Sequence, residues 1–146
     1  MAPVGSSGGG GSRTFFDTNI LVYSDDPRDQ AKQQTALTLI KQHMLQRTGI
    51  VSLQVLQEYF VSATGKLRLD AELAKRRVEV FAKFQVAEPA VADILAAIDL
   101  HRLHGLALWD ALILRCAKQS GCRVVLTEDM QHGRVVDGLR IVNPFL

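Results

Sequence analysis

The chain is 146 residues long and 47% apolar, which is enough for one compact domain with its own hydrophobic core. Its 17 basic and 15 acidic residues leave a formal net charge of +2, which excludes a protein that coats nucleic acid by charge alone. No run of about 18 uncharged apolar residues could span a membrane, and the two cysteines lack metal-binding or redox spacing, so we expect a cytoplasmic protein.

The N-terminal segment differs in composition from the rest of the chain. Residues 1–12 are rich in glycine and serine, and we interpret them as a tag left from expression or a flexible linker. A single domain is expected over residues 13–146. It opens with a predicted strand at Thr14–Phe16, which is followed by a polar turn at Asp17–Asn19.

The remaining sequence alternates between predicted helices and short strands. In chain order these are a helix from Asp26-Pro27 to about Arg47, a strand at Gly49–Ser52, a helix capped by Ser52 that ends near Gly65, a helix capped by Asp70 that runs to about Lys83, a short strand around Val86, a helix from Glu88-Pro89 through Leu103, a helix from near Leu108 to Gly121, and strands at Val124–Leu126 and Ile141–Val142. This alternation predicts an α/β fold with a mostly parallel central sheet flanked by helices.

Three acidic residues lie in apolar surroundings. Asp17 directly follows the first strand, Glu58 is the only charged residue from position 49 to position 65, and Asp110 interrupts an apolar segment at 106–114. Burying an ionised carboxylate without a partner costs several kcal/mol or raises its pKa. We therefore expect these side chains to meet around a positive charge.

The predicted topology allows the acids to converge. Asp17 and Asp129 each follow a strand, and Asp110 lies near the start of a helix, so all three belong at the carboxyl edge of a parallel sheet. Glu58 lies about two turns into its helix and could reach the same edge. Such a cluster favours Mg²⁺ or Mn²⁺, which prefer oxygen ligands, and no His or Cys spacing supports zinc. A bound ion would activate water for attack on a phosphate.

Four segments resemble the motifs of PIN domains, and the chain ending is also similar to that of many members. They are Phe16–Tyr23, Ser52–Tyr59, Trp109–Ile113 and Thr127–Gly133, with the ending at Gly138–Phe145. The similarity extends over nearly all of residues 13–146. Each motif alone is weakly specific, but their order and spacing together are specific. Among PIN domains, the chain most resembles VapC-type toxins of toxin–antitoxin modules.

This resemblance implies a Mg²⁺- or Mn²⁺-dependent endoribonuclease that acts on RNA, forms a homodimer and is silenced by a VapB-type antitoxin. The family's acidic residues would correspond to Asp17, Glu58, Asp110 and Asp129, with Asp17, Asp110 and Asp129 as metal ligands. Asn19 and Thr127 would be supporting polar groups. Among the basic residues, Arg115 and Arg134 are our candidates for contact with RNA phosphates.

Several alternatives stay open from the residues alone. Glu128 competes with Asp129 for the fourth acidic position, although the family pattern favours Asp129. A catalytically silent module that binds RNA or an antitoxin would carry the same motifs. An aspartate-based phosphotransferase or phosphatase also places aspartates at strand ends. A phosphatase of this class is expected to carry a second aspartate at the position where this chain has Asn19.

Overall fold

The structure, a computed structural model, describes residues 12–146. Within this range the chain forms six strands and six helices, in the order β1 (Arg13–Phe16), α1 (Thr18–Ser24), α2 (Gln30–Gln46), β2 (Gly49–Ser52), α3 (Leu53–Gly65), α4 (Ala71–Phe81), β3 (Gln85–Ala87), α5 (Val91–His104), α6 (Leu108–Gln119), β4 (Cys122–Leu126), β5 (Val135–Val136) and β6 (Leu139–Val142). The interpretation of residues 1–12 as a tag or linker lies outside the described residues, apart from Ser12.

The strands form one sheet in the order β3-β2-β1-β4-β6-β5. All neighbours pair in parallel except β5 and β6, which are antiparallel. The α/β fold with a mostly parallel sheet is therefore confirmed. Phe15 and Phe16 of the central strand β1 are completely buried, because helices cover both faces of such a sheet. The carboxyl ends of β1, β2 and β4 consequently lie side by side at one edge.

A glycine at the start of β2 is required by the packing of the sheet. A Cβ atom on Gly49 would lie 2.5 Å from a ring carbon of Phe84, which is far below van der Waals contact. The Phe84 ring also packs against Phe16, with ring centroids 5.0 Å apart. The absence of a side chain at this position thus allows an aromatic pair to form beneath the sheet.

The sequence analysis placed the starts of two helices at prolines, which is two or three residues too early. Helix α2 begins at Gln30, three residues after Pro27, and α5 begins at Val91, two residues after Pro89. In α2 the cap is Asp29, whose side chain accepts a hydrogen bond from the backbone of Lys32 at 3.1 Å. A nearby carboxylate that can satisfy free N–H groups therefore sets the start more strongly than proline does.

The largest difference from the sequence analysis is α1. We expected a polar turn at Asp17–Asn19, but Asp17 is the N-cap of a helix that begins at Thr18. Asp and Asn are common both in turns and at helix caps, so their presence does not decide between the two. Burial decides, because Ile20 and Leu21 are fully buried in the core.

Smaller differences concern the last strands, the helices and the cysteines. β5 was not predicted, and β6 begins at Leu139, two residues before the expected strand. Among the helices of residues 12–146, none combines the length and the apolar character needed to cross a bilayer. Cys116 and Cys122 are both buried free thiols.

Candidate active site

The four acidic residues from the sequence analysis face one region at the carboxyl edge of the sheet. Asp17 follows β1, Asp129 lies three residues after β4, Asp110 is in the first turn of α6, and Glu58 lies on α3. Burial raises the pKa of both Asp17 and Asp110, and the carboxylates of Asp129 and Glu58 raise each of them further. Asp17 and Asp110 thus lie near the same two carboxylates, and we treat the four acids as one candidate site.

Asp17 is the most buried of the four acids, with 5% of its surface exposed. Its Oδ1 accepts a hydrogen bond from the backbone N–H of Thr18 at 2.7 Å, and its Oδ2 accepts one from Thr127 Oγ1 at 2.7 Å. Burial raises the pKa of Asp17 to about 6, although both hydrogen bonds lower it. The carboxylate is therefore held in a fixed position at a cost in free energy when it is ionised.

Thr127 and Asn19 connect Asp17 to Asp129. The hydroxyl of Thr127 is fully buried and accepts hydrogen bonds from Asn19 Nδ2 at 3.3 Å and from the Asp129 backbone at 3.1 Å. Asn19 Nδ2 also donates to Asp129 Oδ2 at 3.0 Å, and Asn19 Oδ1 accepts from the backbone of Glu128 at 3.2 Å. This arrangement joins the two acids, and a supporting role of Asn19 and Thr127 in catalysis stays a prediction.

Glu58 is oriented by two residues that the sequence analysis did not identify. Thr18 Oγ1 donates a hydrogen bond to Oε1 of Glu58 at 2.8 Å, and Gln54 Nε2 donates one to Oε2 at 3.2 Å. Gln54 could have been found, because a residue four positions earlier shares a helix face with Glu58. Thr18 could not have been found, because it is forty residues from Glu58 in sequence and their contact depends on the pairing of β1 with β2.

Asp110 differs from the other three acids in lacking such supports. Among the side-chain hydrogen bonds of residues 12–146, none involves its carboxylate. Its position in the first turn of α6 favours the ionised form through the helix dipole. Burial and the neighbouring acids outweigh this and raise its pKa. The side chain is therefore the one most free to rotate toward a bound cation.

The donor atoms of this site suit a hard divalent cation. Carboxylate, amide and hydroxyl oxygens meet here, and Mg²⁺ and Mn²⁺ prefer such ligands. A cation would also relieve the repulsion that raises two of the pKa values. Within the part of the chain that the structure describes, no three His, Cys, Asp or Glu side chains are close enough to form a ready-made metal site.

Glu128, the competitor of Asp129, is engaged elsewhere. Its Oε2 forms an ion pair with Lys32 Nζ at 2.5 Å, and its Oε1 accepts a hydrogen bond from the hydroxyl of Tyr23 at 2.7 Å. Tyr23 packs against Phe145 with ring centroids 5.0 Å apart. The side chain of Glu128 thus contacts α1 and α2, whereas that of Asp129 turns toward Asn19.

The two arginines proposed to contact RNA both have partners within the protein. Arg115 Nε pairs with Oδ1 of Asp93 at 2.9 Å, which joins α6 to α5. Arg134 donates a hydrogen bond to the carbonyl oxygen of His104 at 3.1 Å. Each would have to leave or share its partner to bind a phosphate, and their contact with RNA stays a prediction.

Comparison with known proteins identifies the family. Residues 14–137 match the PIN domain. The chain belongs to the PIN-domain family. No curated relative matches it in sequence. The expected family is thereby confirmed, and the acids described above occupy the edge of the sheet in this PIN domain.

Solved structures share the fold of this PIN domain at low sequence identity. A toxin–antitoxin complex from Klebsiella pneumoniae matches with a TM-score of 0.65 and 20% identity over 90% of this chain and 97% of that chain. Mycobacterium tuberculosis VapC20, a sarcin-ricin loop cleaving toxin, matches with a TM-score of 0.61 and 17% identity over 77% and 86%. VapBC2 from Rickettsia felis, bound to a promoter DNA fragment, matches with a TM-score of 0.57 and 20% identity over 88% and 96%.

Proposed function

We propose that this PIN domain is a metal-dependent endoribonuclease and the toxin of a toxin–antitoxin pair. One observation carries the proposal: Asp17 and Asp110 come from distant parts of the chain, and the pKa of each is raised by burial and further by the carboxylates of Asp129 and Glu58. A fold that gathers four carboxylates at such a cost gains little stability from them. It gains a site where a divalent cation and a phosphodiester can meet.

In this proposal Asp17, Asp110 and Asp129 hold Mg²⁺ or Mn²⁺. The bound ion would lower the pKa of water and neutralise charge that develops on the phosphate. Glu58 is exposed and oriented by Thr18 and Gln54, so it can accept a proton from the attacking water. In-line attack on the phosphorus would leave a 5′-phosphate and a 3′-hydroxyl.

Asn19 and Thr127 act as positioning residues in this mechanism. Both hydrogen-bond within the chain that runs from Asp17 to Asp129, so they keep two of the acids at a fixed separation. The amide and hydroxyl groups add no charge to the site. Their loss would misplace the carboxylates without changing the charge that attracts a cation.

The solved structures with the same fold support a proposal about partners. One of these is a toxin–antitoxin complex, one is a toxin that cleaves the sarcin-ricin loop, and one is a VapBC pair on promoter DNA. For the present chain we propose an RNA substrate, a VapB-type antitoxin and a homodimer. The near-neutral charge of the chain implies that RNA is held mainly at the site rather than over the whole surface.

The test is RNA cleavage by metal-stripped protein to which Mg²⁺ or Mn²⁺ is returned. Wild type should cleave RNA only with the ion, and Asp17→Asn and Asp110→Asn should each lose at least about a hundredfold in rate. Asp99→Asn is the matched control, because Asp99 is an exposed acid on α5 that does not join the cluster. Equal cleavage by all four proteins would contradict the proposal.

The second candidate is a catalytically silent module that binds RNA or an antitoxin. One observation favours it: in residues 12–146, no three metal-ligating side chains form a ready-made metal site. Calorimetry with Mn²⁺ separates the two functions. The nuclease should show binding heat that disappears in Asp17→Asn, whereas a silent module should show no heat that depends on the carboxylates.

A further inference from the structure

A small polar cavity adjoins the acidic site. Its volume is about 220 Å³, and Asp129, Asn19 and Thr18 of the proposed site form one wall. Ser62 and Lys66, at the end of α3, also line this cavity. The cavity is therefore continuous with the proposed cleavage site and brings a lysine, Lys66, next to it.

Within residues 12–146, Lys66 forms no ion pair. The ion pairs of residues 12–146 join Arg28 to Asp26, Lys32 to Glu128, Arg77 to Asp25, Arg115 to Asp93 and Lys118 to Asp137. The two further acids that line the cavity, Asp26 and Glu128, are thus already paired with Arg28 and Lys32. Lys66 adds to the lowering of the pKa of Asp26 by Arg28 and of the pKa of Glu128 by Lys32. Its side chain is exposed, so its ammonium group is also accessible to an incoming anion.

The backbone of Lys66 is well anchored. Lys66 is the C-cap of α3, and its N–H donates a hydrogen bond to the carbonyl oxygen of Ser62 at 2.8 Å. A lysine at a helix end also has an ordinary structural explanation, since a cation there interacts favourably with the helix dipole. That explanation predicts a small change in stability on removal and no change in RNA binding.

RNA binding at the acidic site requires a positively charged side chain nearby. Four carboxylates at one edge repel a polyanion, and Arg115 and Arg134 both have partners elsewhere. We infer that Lys66 binds a non-bridging oxygen of an RNA backbone phosphate next to the one that is cleaved. This inference rests on the proposed ribonuclease function. Because lysine acts as a point charge, the contact would position the strand without reading its sequence.

The experiment compares Lys66→Gln, Lys66→Arg and wild type on a single-stranded RNA that wild type cleaves, at fixed Mg²⁺. Lys83→Gln is the matched control. Lys83 is an exposed lysine just before β3, so it lies at the amino ends of the strands and not at the carboxyl edge with the acids. Steady-state kcat and KM are measured over a series of monovalent salt concentrations. Thermal unfolding of each protein reports whether it is folded.

The expected result follows from counterion release. One lost phosphate contact lowers the slope of log KM against log salt by about 0.7 and raises KM about fivefold at 0.1 M salt, with kcat almost unchanged. Lys66→Arg should retain the slope, because it keeps the charge. Lys83→Gln should behave as wild type.

Each other result overturns the inference. An unchanged KM and salt slope in Lys66→Gln would refute it while leaving the ribonuclease function intact. A loss of kcat at constant KM would show that Lys66 acts on the chemical step instead. If wild type cleaves no RNA with Mg²⁺ or Mn²⁺, the proposed function and this inference fail together.

Discussion

Replacing Asp17 by asparagine should remove RNA cleavage and at the same time make the metal-free protein more stable at neutral pH. Burial raises the pKa of Asp17 to about 6 from an ordinary value of 3.8. The folded protein therefore binds this proton more tightly than the unfolded chain does. The stability that the folded protein gains from binding this proton is complete below pH 3.8 and is lost as the pH rises through about 6.

The size of the effect follows from the same difference. A pKa difference of about 2 corresponds to about 3 kcal/mol of folding free energy at pH 7.5. Asparagine would recover only part of this, because its amide group would face the Thr127 hydroxyl. That hydroxyl already accepts hydrogen bonds from Asn19 and from the Asp129 backbone. We expect a gain of about 1–3 kcal/mol.

The assay is urea unfolding in the presence of a chelator from pH 4 to pH 8. The stability difference between Asp17→Asn and wild type should be near zero or negative at pH 4 and should grow in favour of the variant between pH 4 and pH 7. Other carboxyls, such as Asp26 and Asp93, have lowered pKa values and also make stability depend on pH. Their contributions are the same in both proteins and cancel in the stability difference. Added Mg²⁺ should stabilise wild type but not the variant.

Two results would refute this reasoning. A variant that is less stable than wild type at pH 7.5 would show that the carboxylate of Asp17 is not a source of strain in the metal-free protein. A stability difference that does not change with pH would show that its pKa is ordinary. Asp99→Asn is again the control, and its free energy of unfolding should stay within about 0.5 kcal/mol of the wild-type value at every pH.

Three further predictions concern positions around the site and the sheet. Gly49→Ala should destabilise the protein by about 1–3 kcal/mol in urea unfolding, because its Cβ would meet the Phe84 ring at 2.5 Å, and an unchanged midpoint would contradict this packing. Thr127→Val should cost about 1–3 kcal/mol by leaving hydrogen-bond donors unsatisfied, and it should slow RNA cleavage; wild-type stability would show that the hydroxyl is dispensable. Glu128→Gln should keep most of its RNA cleavage, measured as kcat/KM, whereas Asp129→Asn should lose about a hundredfold or more, and the reverse order would exchange their roles.

Much of the fold could be predicted from short-range patterns. The strands β1, β2 and β4 were recognised because apolar runs are bounded by polar or glycine residues, and Ser52 was recognised as the cap of α3. The boundaries that failed depended on contacts outside the local window. α1 forms at a sequence equally suited to a turn, and only the burial of Ile20 and Leu21 decides in its favour.

The candidate site shows the same division. The unusual placement of acids in apolar segments, together with the resemblance to PIN domains, selected Asp17, Glu58, Asp110 and Asp129. The groups that orient them were harder to find. Glu128 and Asp129 are neighbours with similar chemistry, and only the positions of Lys32 and Asn19 separate their environments. The basic residues chosen from the sequence proved to be paired, whereas Lys66 lines the cavity.

By itself, the sequence determined the fold class and the family, because hydrophobic periodicity, helix caps and motif spacing act over short stretches of chain. Only the tertiary structure decided how the acids are supported. The hydrogen bond from Thr18 to Glu58 joins residues 40 apart, and that from Thr127 to Asp17 joins residues 110 apart. Both depend on β1 lying between β2 and β4, and that order results from packing over the whole domain.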